Sequence, residues 1–288
     1  MTKTTGKVKT WGEALEFTWN TKWKRQRSAK TAGINSNHVT NYAGLSLPLA
    51  RMASPGWWMT FQAELLDQGR SGGGANRIIS AGTTALKHTR LAQLHGIDCP
   101  VFERCDENEA RIDWFKKPEV DLLAHNARDL YGDRWGDNMA DAILVSAYTG
   151  VRQGELLKLR PDDYNEALDA LIIGGKAHNT TKPGKVRQLT LNDKIRPIIQ
   201  NRLSQSRLFS QDWRNKDQLY NAFKKVRRAS GFSEDYVLHC LRHSFGTWVG
   251  AVTHPRTLME LLGHSTIEMS LKYCKASDEA ARSAMLAL

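Results

Sequence analysis

The sequence predicts a mainly α-helical chain in two domains, carrying one small β-hairpin or sheet. Three observations predict this. Apolar residues recur at helical spacing through both halves. A polar, charged stretch, Cys105-Asp106-Glu107-Asn108-Glu109-Ala110-Arg111, separates the halves. One segment of the second half breaks the helical pattern with β-type runs on either side of a polar turn. The boundaries that follow are a helical domain over 1–107, a linker over 108–117 and a second domain over 118–288.

In the first half, Trp11–Trp23 predicts one helix. Ser54-Pro55 supplies an N-cap and an N1 proline for another, running through Trp57, Phe61, Leu65 and Leu66. The glycine-rich run from Gly69 to Gly74 predicts its end. A long helix from about Asn76 to His95 shares an apolar face of Ile78, Ile79, Leu86, Leu91 and Leu94, with Gly96 as its stop. Four or five helices complete this half. In the second half, Leu171-Ile172-Ile173 and Val186–Leu191 predict the two arms of a hairpin. Helices follow over Leu219–Arg228, Val237–Val252, Arg256–Leu262 and a tail, Ala276–Leu288.

Composition narrows the function classes. With 25% charged and 41% hydrophobic residues among 288, the chain has the make-up of a folded protein rather than a disordered one. The run from Met139 to Tyr148 is short and contains Asp141, which predicts no membrane span. No apolar leader follows Met1, and Cys99, Cys105, Cys240 and Cys274 are too dispersed for a metal clip, so reduced thiols in the cytoplasm are expected. The net charge of +11 points to an acidic partner such as nucleic acid. The excess is not one basic tail: residues 1–115 carry 15 basic and 10 acidic groups, and the remainder 26 and 20. The densest cluster, Lys22, Lys24, Arg25, Arg27 and Lys30, is a candidate DNA contact, against the plainer reading of a solvated face.

Four segments carry chemistry. In Thr149-Gly150-Val151-Arg152-Gln153-Gly154-Glu155-Leu156, Gly150 ends one helix and Arg152 opens the next, where its fork can meet an anion. Glu155 either fixes that guanidinium or fills the N3 position of the first turn. The second segment is the turn Thr181-Lys182-Pro183-Gly184-Lys185. In the third, His239, Arg242 and His243 share a helix face. A zinc pair at His239 and His243 is disfavoured because Cys240 stands where the metalloprotease pattern needs Glu. The fourth is Leu262-Gly263-His264, with Tyr273 nine residues after the histidine. Two arginines, a lysine, histidines and a late tyrosine, with no carboxylate cluster for Mg²⁺, suit phosphoryl transfer to tyrosine without metal. The arginines offset transition-state charge, a lysine or histidine protonates the leaving alkoxide, and the hydroxyl attacks phosphorus.

These four segments, in this order, resemble the tyrosine recombinases of the phage integrase type, with similarity also to the Xer and Cre recombinases. The match is distributed over roughly residues 118–275. The resemblance implies a helical core-binding domain followed by a tyrosine-recombinase catalytic domain. It implies that Arg152 and Arg242 hold the scissile phosphate and Lys182 protonates the leaving 5′ oxygen. His239 would assist proton transfer at the tyrosine, His264 would hydrogen-bond the phosphate, and Glu155 would support Arg152. Tyr273 would form a 3′-phosphotyrosyl bond. His243 matches the motif too, with packing behind the helix as its expected role.

No metal, ATP or other cofactor is implied. The implied partners are a double-stranded recombination site, clamped between the two domains, and three further protomers in a tetramer. Accessory factors that bend DNA or set direction stay open. The resemblance also implies integration or excision of a phage or other mobile element. The interval from Arg152 to Lys182 is long for the family and Pro183 departs from its usual turn, so Lys176 and Lys185 stay open as the lysine. The room before residue 118 suits a core-binding domain without a further arm-binding one. The tail helix packs on its own domain or on a neighbouring protomer. Competing readings are a type IB topoisomerase and a DNA-binding protein without catalysis; the intact residue set argues against the second.

Overall fold

The computed structural model describes residues 7–107, 112–181, 184–209, 213 and 215–274, without the side chains of 133 and 134. Lys182, Pro183 and the tail over 276–288 therefore lie outside the described residues. The fold is mainly α-helical with one three-stranded antiparallel sheet. It divides into two compact units, Met1–Ala110 and Arg111–Leu288. No helix among the described residues is long and apolar enough to cross a membrane.

The first unit holds α1 (Trp11–Thr21), α2 (Ala29–Ala43), α3 (Leu49–Met52), α4 (Pro55–Asp67) and α5 (Gly72–Leu91). Thr10 and Glu13 cap α1 reciprocally, each side chain accepting from the other's backbone N–H. Trp11, Trp58, Phe61, Leu65, Ile79 and Leu86 form the core. The buried indoles keep their hydrogen bonds: Trp11 donates to Thr40 Oγ1 at 2.9 Å and Trp58 to the Met52 carbonyl at 2.7 Å. Trp58 can lie on α5 because residue 82 is glycine; a Cβ there would stand 2.6 Å from its ring.

Two departures from expectation have local causes. Helix α5 starts at Gly72, inside the run expected to break the chain, because Ser71 Oγ accepts from the Gly74 N–H and closes the first turn. It ends at Leu91, before Gly96, with Gln93 in the left-handed region at φ 57°. The sequence pattern offered no helix for α2, which buries only Ser36 and Val39 and so lacks an apolar stripe. The basic cluster follows α1. Trp23 is buried, whereas Lys24, Arg25, Arg27 and Lys30 are exposed and Lys22 half-buried.

The second unit opens inside the expected linker. Phe115 is fully buried, its N–H donating to Ser244 Oγ at 2.8 Å, and Ile112 packs beside Phe245 and Leu262. Phe115 and Ile112 thus tie this stretch to the second unit, while Lys116 and Lys117 are exposed. Next come α6 (Lys117–Tyr131) and α7 (Asp133–Thr149), which approach closely. A Cβ at Gly136 would lie 2.7 Å from the Arg128 backbone.

After α8 (Gln153–Leu156), the strands β1 (Tyr164–Asn165), β2 (Ala170–Ile173) and β3 (Arg187–Thr190) form the sheet, in the order β1-β2-β3. The expected hairpin is the β2–β3 pair, with Leu171 opposite Leu189 and Ile173 opposite Arg187. Strand β1 adds two residues, too few to carry a readable alternation. The remaining helices are α9 (Arg196–Gln200), α10 (Lys216–Ala229), α11 (His239–Gly250), α12 (Pro255–Leu262) and α13 (Glu268–Leu271).

Candidate active site

The site is built where α7 ends, α8 begins and α11 and α12 approach them. Gly150 caps α7 in the left-handed region (φ 63°, ψ 18°), and a Cβ there would stand 2.6 Å from Phe245. Both constraints require glycine. Its carbonyl accepts from Arg242 Nη1, and the Leu262 carbonyl at the end of α12 accepts from Arg242 Nη2 at 2.6 Å. Arg242 is thereby fixed by two backbone oxygens and is 3% exposed. Burial, then the charges of Arg152 and Arg187, push its pKa down to about 9, against Glu155 and Tyr273; it stays cationic at neutral pH.

Arg152 occupies the N-cap position of α8 and both readings of Glu155 hold together. The Arg152 N–H donates to Glu155 Oε2 at 2.8 Å, and Arg152 Nη1 donates to Oε1 at 3.1 Å. Arg152 Nη2 donates to the Gly263 carbonyl at 3.1 Å. Because α8 has only four residues, the guanidinium rather than a helix dipole supplies the charge.

Glu155 has a second partner, which lies outside the four motif segments. Arg187 on β3 bonds both carboxylate oxygens, Nη2–Oε2 at 2.6 Å and Nη1–Oε1 at 3.3 Å. Burial would raise the Glu155 carboxyl, but the hydrogen bonds and charge of Arg187, with Arg152, outweigh it and hold the pKa at about 2. A readable signal existed. Arg187 is in phase with Leu189 on the buried face of β3, and a charge at an inward position predicts a buried partner.

His264 follows the left-handed Gly263 (φ 63°) that closes α12. It is 4% exposed, with Nδ1 2.8 Å from Ser270 Oγ. Burial, then Arg242, Arg152, Arg187 and His239, lower its pKa to about 4, so it is neutral at pH 7. When the Ser270 hydroxyl donates to Nδ1, the ring proton sits on Nε2, which is then a hydrogen-bond donor. His239 keeps a solvent-exposed edge. Packing around its inner side, then His243, Arg242 and Arg152, shift it below the ordinary imidazole range.

Tyr273 is 9% exposed, and its ring lies parallel to His264 (centroids 6.2 Å apart, 19° between planes). It rests in a slot on α11 made by two glycines. A Cβ at Gly246 would stand 2.9 Å from its ring, and one at Gly250 would stand 2.8 Å from its carbonyl oxygen. The hydroxyl meets His243 Nδ1 at 2.6 Å. The expectation set His239 beside this hydroxyl and His243 behind the helix. The structure places His243 at the hydroxyl, with His239 edge-on to the His243 ring at 4.7 Å.

Of the alternatives to Lys182, Lys176 is ion-paired to Asp162 at 3.0 Å and Lys185 is exposed. The basic cluster, Lys22 to Lys30, belongs to the first unit. Among the described residues, one group has metal-ligand proximity: Asp162, Asp163 and His178. Asp162 pairs with Lys176, and Asp163 with His178 at 3.0 Å.

Residues 114–280 match the model of the Phage integrase family. The chain belongs to the phage integrase family. Over 158 residues it is 31% identical to a protein of Mycobacterium tuberculosis described as a candidate prophage phiRv2 integrase. That match spans 47% of this chain and 42% of the relative, so the chain spans less than half the length of the curated relatives it matches. Among solved structures it is similar to the Tn1549 transposon integrase in complex with a circular intermediate DNA. The TM-score is 0.76 at 17% identity, over 98% of this chain and 100% of that one. It is also similar to a lambda integrase dimer bound to a COC′ core site, with a TM-score of 0.74 at 15% identity over 94% and 78%. A lambda integrase tetramer bound to a Holliday junction gives 0.74 at 16% identity over 93% and 78%. At these identities the structural likeness shows the fold of an integrase.

Proposed function

We propose that this integrase-family chain is a site-specific DNA recombinase, which cuts and rejoins duplex DNA through a covalent 3′-phosphotyrosyl intermediate. The observation that carries the reading is the convergence of two fixed guanidinium groups, Arg152 and Arg242, with a neutral His264 and the buried hydroxyl-bearing ring of Tyr273. Each arginine spends one proton of each terminal nitrogen on the scaffold and keeps others for an anion. Such preorganised donors act on the charge that develops at phosphorus. His264 Nε2–H adds a neutral donor, Lys182 protonates the leaving 5′ oxygen, and Tyr273 attacks. Glu155 holds Arg152 in place. Because the phosphoester is conserved in the protein–DNA bond, rejoining needs neither ATP nor metal.

The first unit is assigned as the core-binding domain, with exposed Lys24, Arg25, Arg27 and Lys30, and half-buried Lys22, offered to phosphates. The relatives support a tetramer on duplex recombination sites. The lambda protein was seen as a tetramer on a Holliday junction and the Tn1549 protein on a circular intermediate. The prophage relative supports integration or excision of a phage or other mobile element. On this reading the chain works in the cytoplasm, at the nucleoid.

The test is a randomised library of nicked duplexes incubated with the protein in excess EDTA, with SDS-resistant adducts recovered and sequenced. A consensus site trapped without divalent metal is expected; adducts that require Mg²⁺ would contradict the mechanism. On the recovered site, binding should fall with salt at a log–log slope of about −0.9 per phosphate neutralised, and a flat response would contradict the DNA assignment. Gly246→Val should push Tyr273 out of its slot. A misplacement of about 1 Å costs on the order of 10²-fold in rate, so adduct formation should fall by about that factor while duplex binding persists. An unchanged adduct rate would show that the slot does not place the tyrosine.

A further inference from the structure

We propose that His243 is a catalytic residue, whose Nδ1 takes the proton of the Tyr273 hydroxyl as that oxygen attacks phosphorus. The inference deepens the recombinase reading and rests on it. The hydroxyl's hydrogen bond among the described residues is the one to His243, at 2.6 Å, with the rings 36° apart and their centroids 5.8 Å apart. The other two imidazoles are placed otherwise. His264 stacks on the face of the Tyr273 ring and gives its Nδ1 to Ser270. His239 touches the ring of His243 instead. Position is enforced from both sides. His243, Gly246 and Gly250 share one face of α11, and the two glycines let the tyrosine lie close along that face, where its hydroxyl meets the histidine.

The protonation states fit a base. Burial and then Arg242 lower the His243 pKa, Asp113 opposes them from the segment before α6, and Lys272 lowers it further. A ring shifted in this direction is mainly neutral at pH 7, and in the tautomer with its proton on Nε2 the Nδ1 lone pair accepts from the phenol. Burial raises the Tyr273 pKa and Arg242 offsets this only in part, so the phenol does not ionise unaided and needs an acceptor in place.

The step balances. The Tyr273 O–H bond breaks and its proton passes to Nδ1, leaving an imidazolium. The phenolic electron pair forms the O–P bond, the P–O5′ bond breaks, and O5′ takes a proton from Lys182. In rejoining, the attacking 5′-hydroxyl expels the tyrosine oxygen, which recovers its proton from His243.

The experiment is single-turnover adduct formation on the trapped duplex from pH 6 to 10, for wild type, His243→Gln, His239→Gln and Tyr273→Phe, with duplex binding measured in parallel. Wild type should be level from pH 7 to 8, below the Arg242 pKa of about 9. His243→Gln should bind duplex, react about 10²–10⁴-fold more slowly at pH 7, and gain about tenfold per pH unit as hydroxide replaces the lost base. His239→Gln should keep the level profile. A His243→Gln profile parallel to wild type overturns the proposal, because a packing defect lowers the rate without changing its slope. Should that variant bind poorly, His243→Ala with added 4-methylimidazole decides. A rate that climbs with free base supports the proposal, and an unresponsive rate overturns it. Failure of the recombinase reading looks different: no adduct from wild type at any pH, or an adduct that survives Tyr273→Phe.

Discussion

Arg242→Ala is expected to slow adduct formation by about 10³-fold and to destabilise the second unit as well. The chemical part follows from the two terminal nitrogens. Removing one preorganised donor from a developing oxyanion costs about 10²–10³-fold, and Arg242 supplies charge in addition to a hydrogen bond. The structural part follows from the carbonyls of Gly150 and Leu262, which both accept from Arg242. A buried acceptor left unpaired costs about 1–3 kcal/mol. Arg242→Lys should recover part of the stability but little of the rate, since an ammonium cannot reach two divergent carbonyls and a phosphate together. Single-turnover kinetics and thermal melting separate the two effects. A rate for Arg242→Ala within about threefold of wild type would remove Arg242 from the phosphate site.

The second large effect is expected at Glu155. Glu155→Gln leaves Arg187 buried without a counterion, and breaking a buried pair from one side costs about 3–5 kcal/mol. For a domain of this size that is a loss of about 10 °C in Tm. The pH dependence provides a second check. The folded-state pKa is depressed, so the unfolded chain binds the proton more tightly and stability falls as pH falls. The contribution is complete above the ordinary value of 4.5 and is lost as pH drops toward about 2. The gap corresponds to about 3 kcal/mol. Wild type should therefore lose stability steeply between pH 4.5 and 2, and Glu155→Gln should show a shallower decline. Equal Tm values for the two proteins at pH 7 would contradict the bridging role. Unlike Arg242→Ala, this variant should lose activity through a displaced Arg152 and not through a missing contact to phosphate.

Much of the site was legible because its motifs are local. Gly150 before Arg152, Glu155 one turn on, and Arg242 between two histidines each encode a short-range geometry that a helix start or helix face delivers. The start of α4 at Pro55, where Ser54 holds the N-cap position without a capping hydrogen bond from its side chain, and the β2–β3 pairing were legible for the same reason. What escaped depends on contacts far apart in the chain. Arg187 is ordinary until β3 is known to point it inward at Glu155, 32 residues away. His243 reads as a packing residue, and Gly246 carries no signal, until Tyr273, 30 residues after His243, is seated on them. Helix α2 escaped because its buried face is only Ser36 and Val39, and α5 began early because one serine satisfied the glycine turn.

The central claim is a covalent bond between Tyr273 and the DNA 3′ phosphate. It is tested most directly by digesting the SDS-resistant adduct formed on a nicked duplex in EDTA and sequencing the nucleotide-bearing peptide by mass spectrometry. The account predicts one modified peptide, Lys272-Tyr273-Cys274 within it, with the nucleotide on Tyr273, and no adduct from Tyr273→Phe despite intact duplex binding. A nucleotide mapped to any other residue, or an adduct undiminished in Tyr273→Phe, would contradict it.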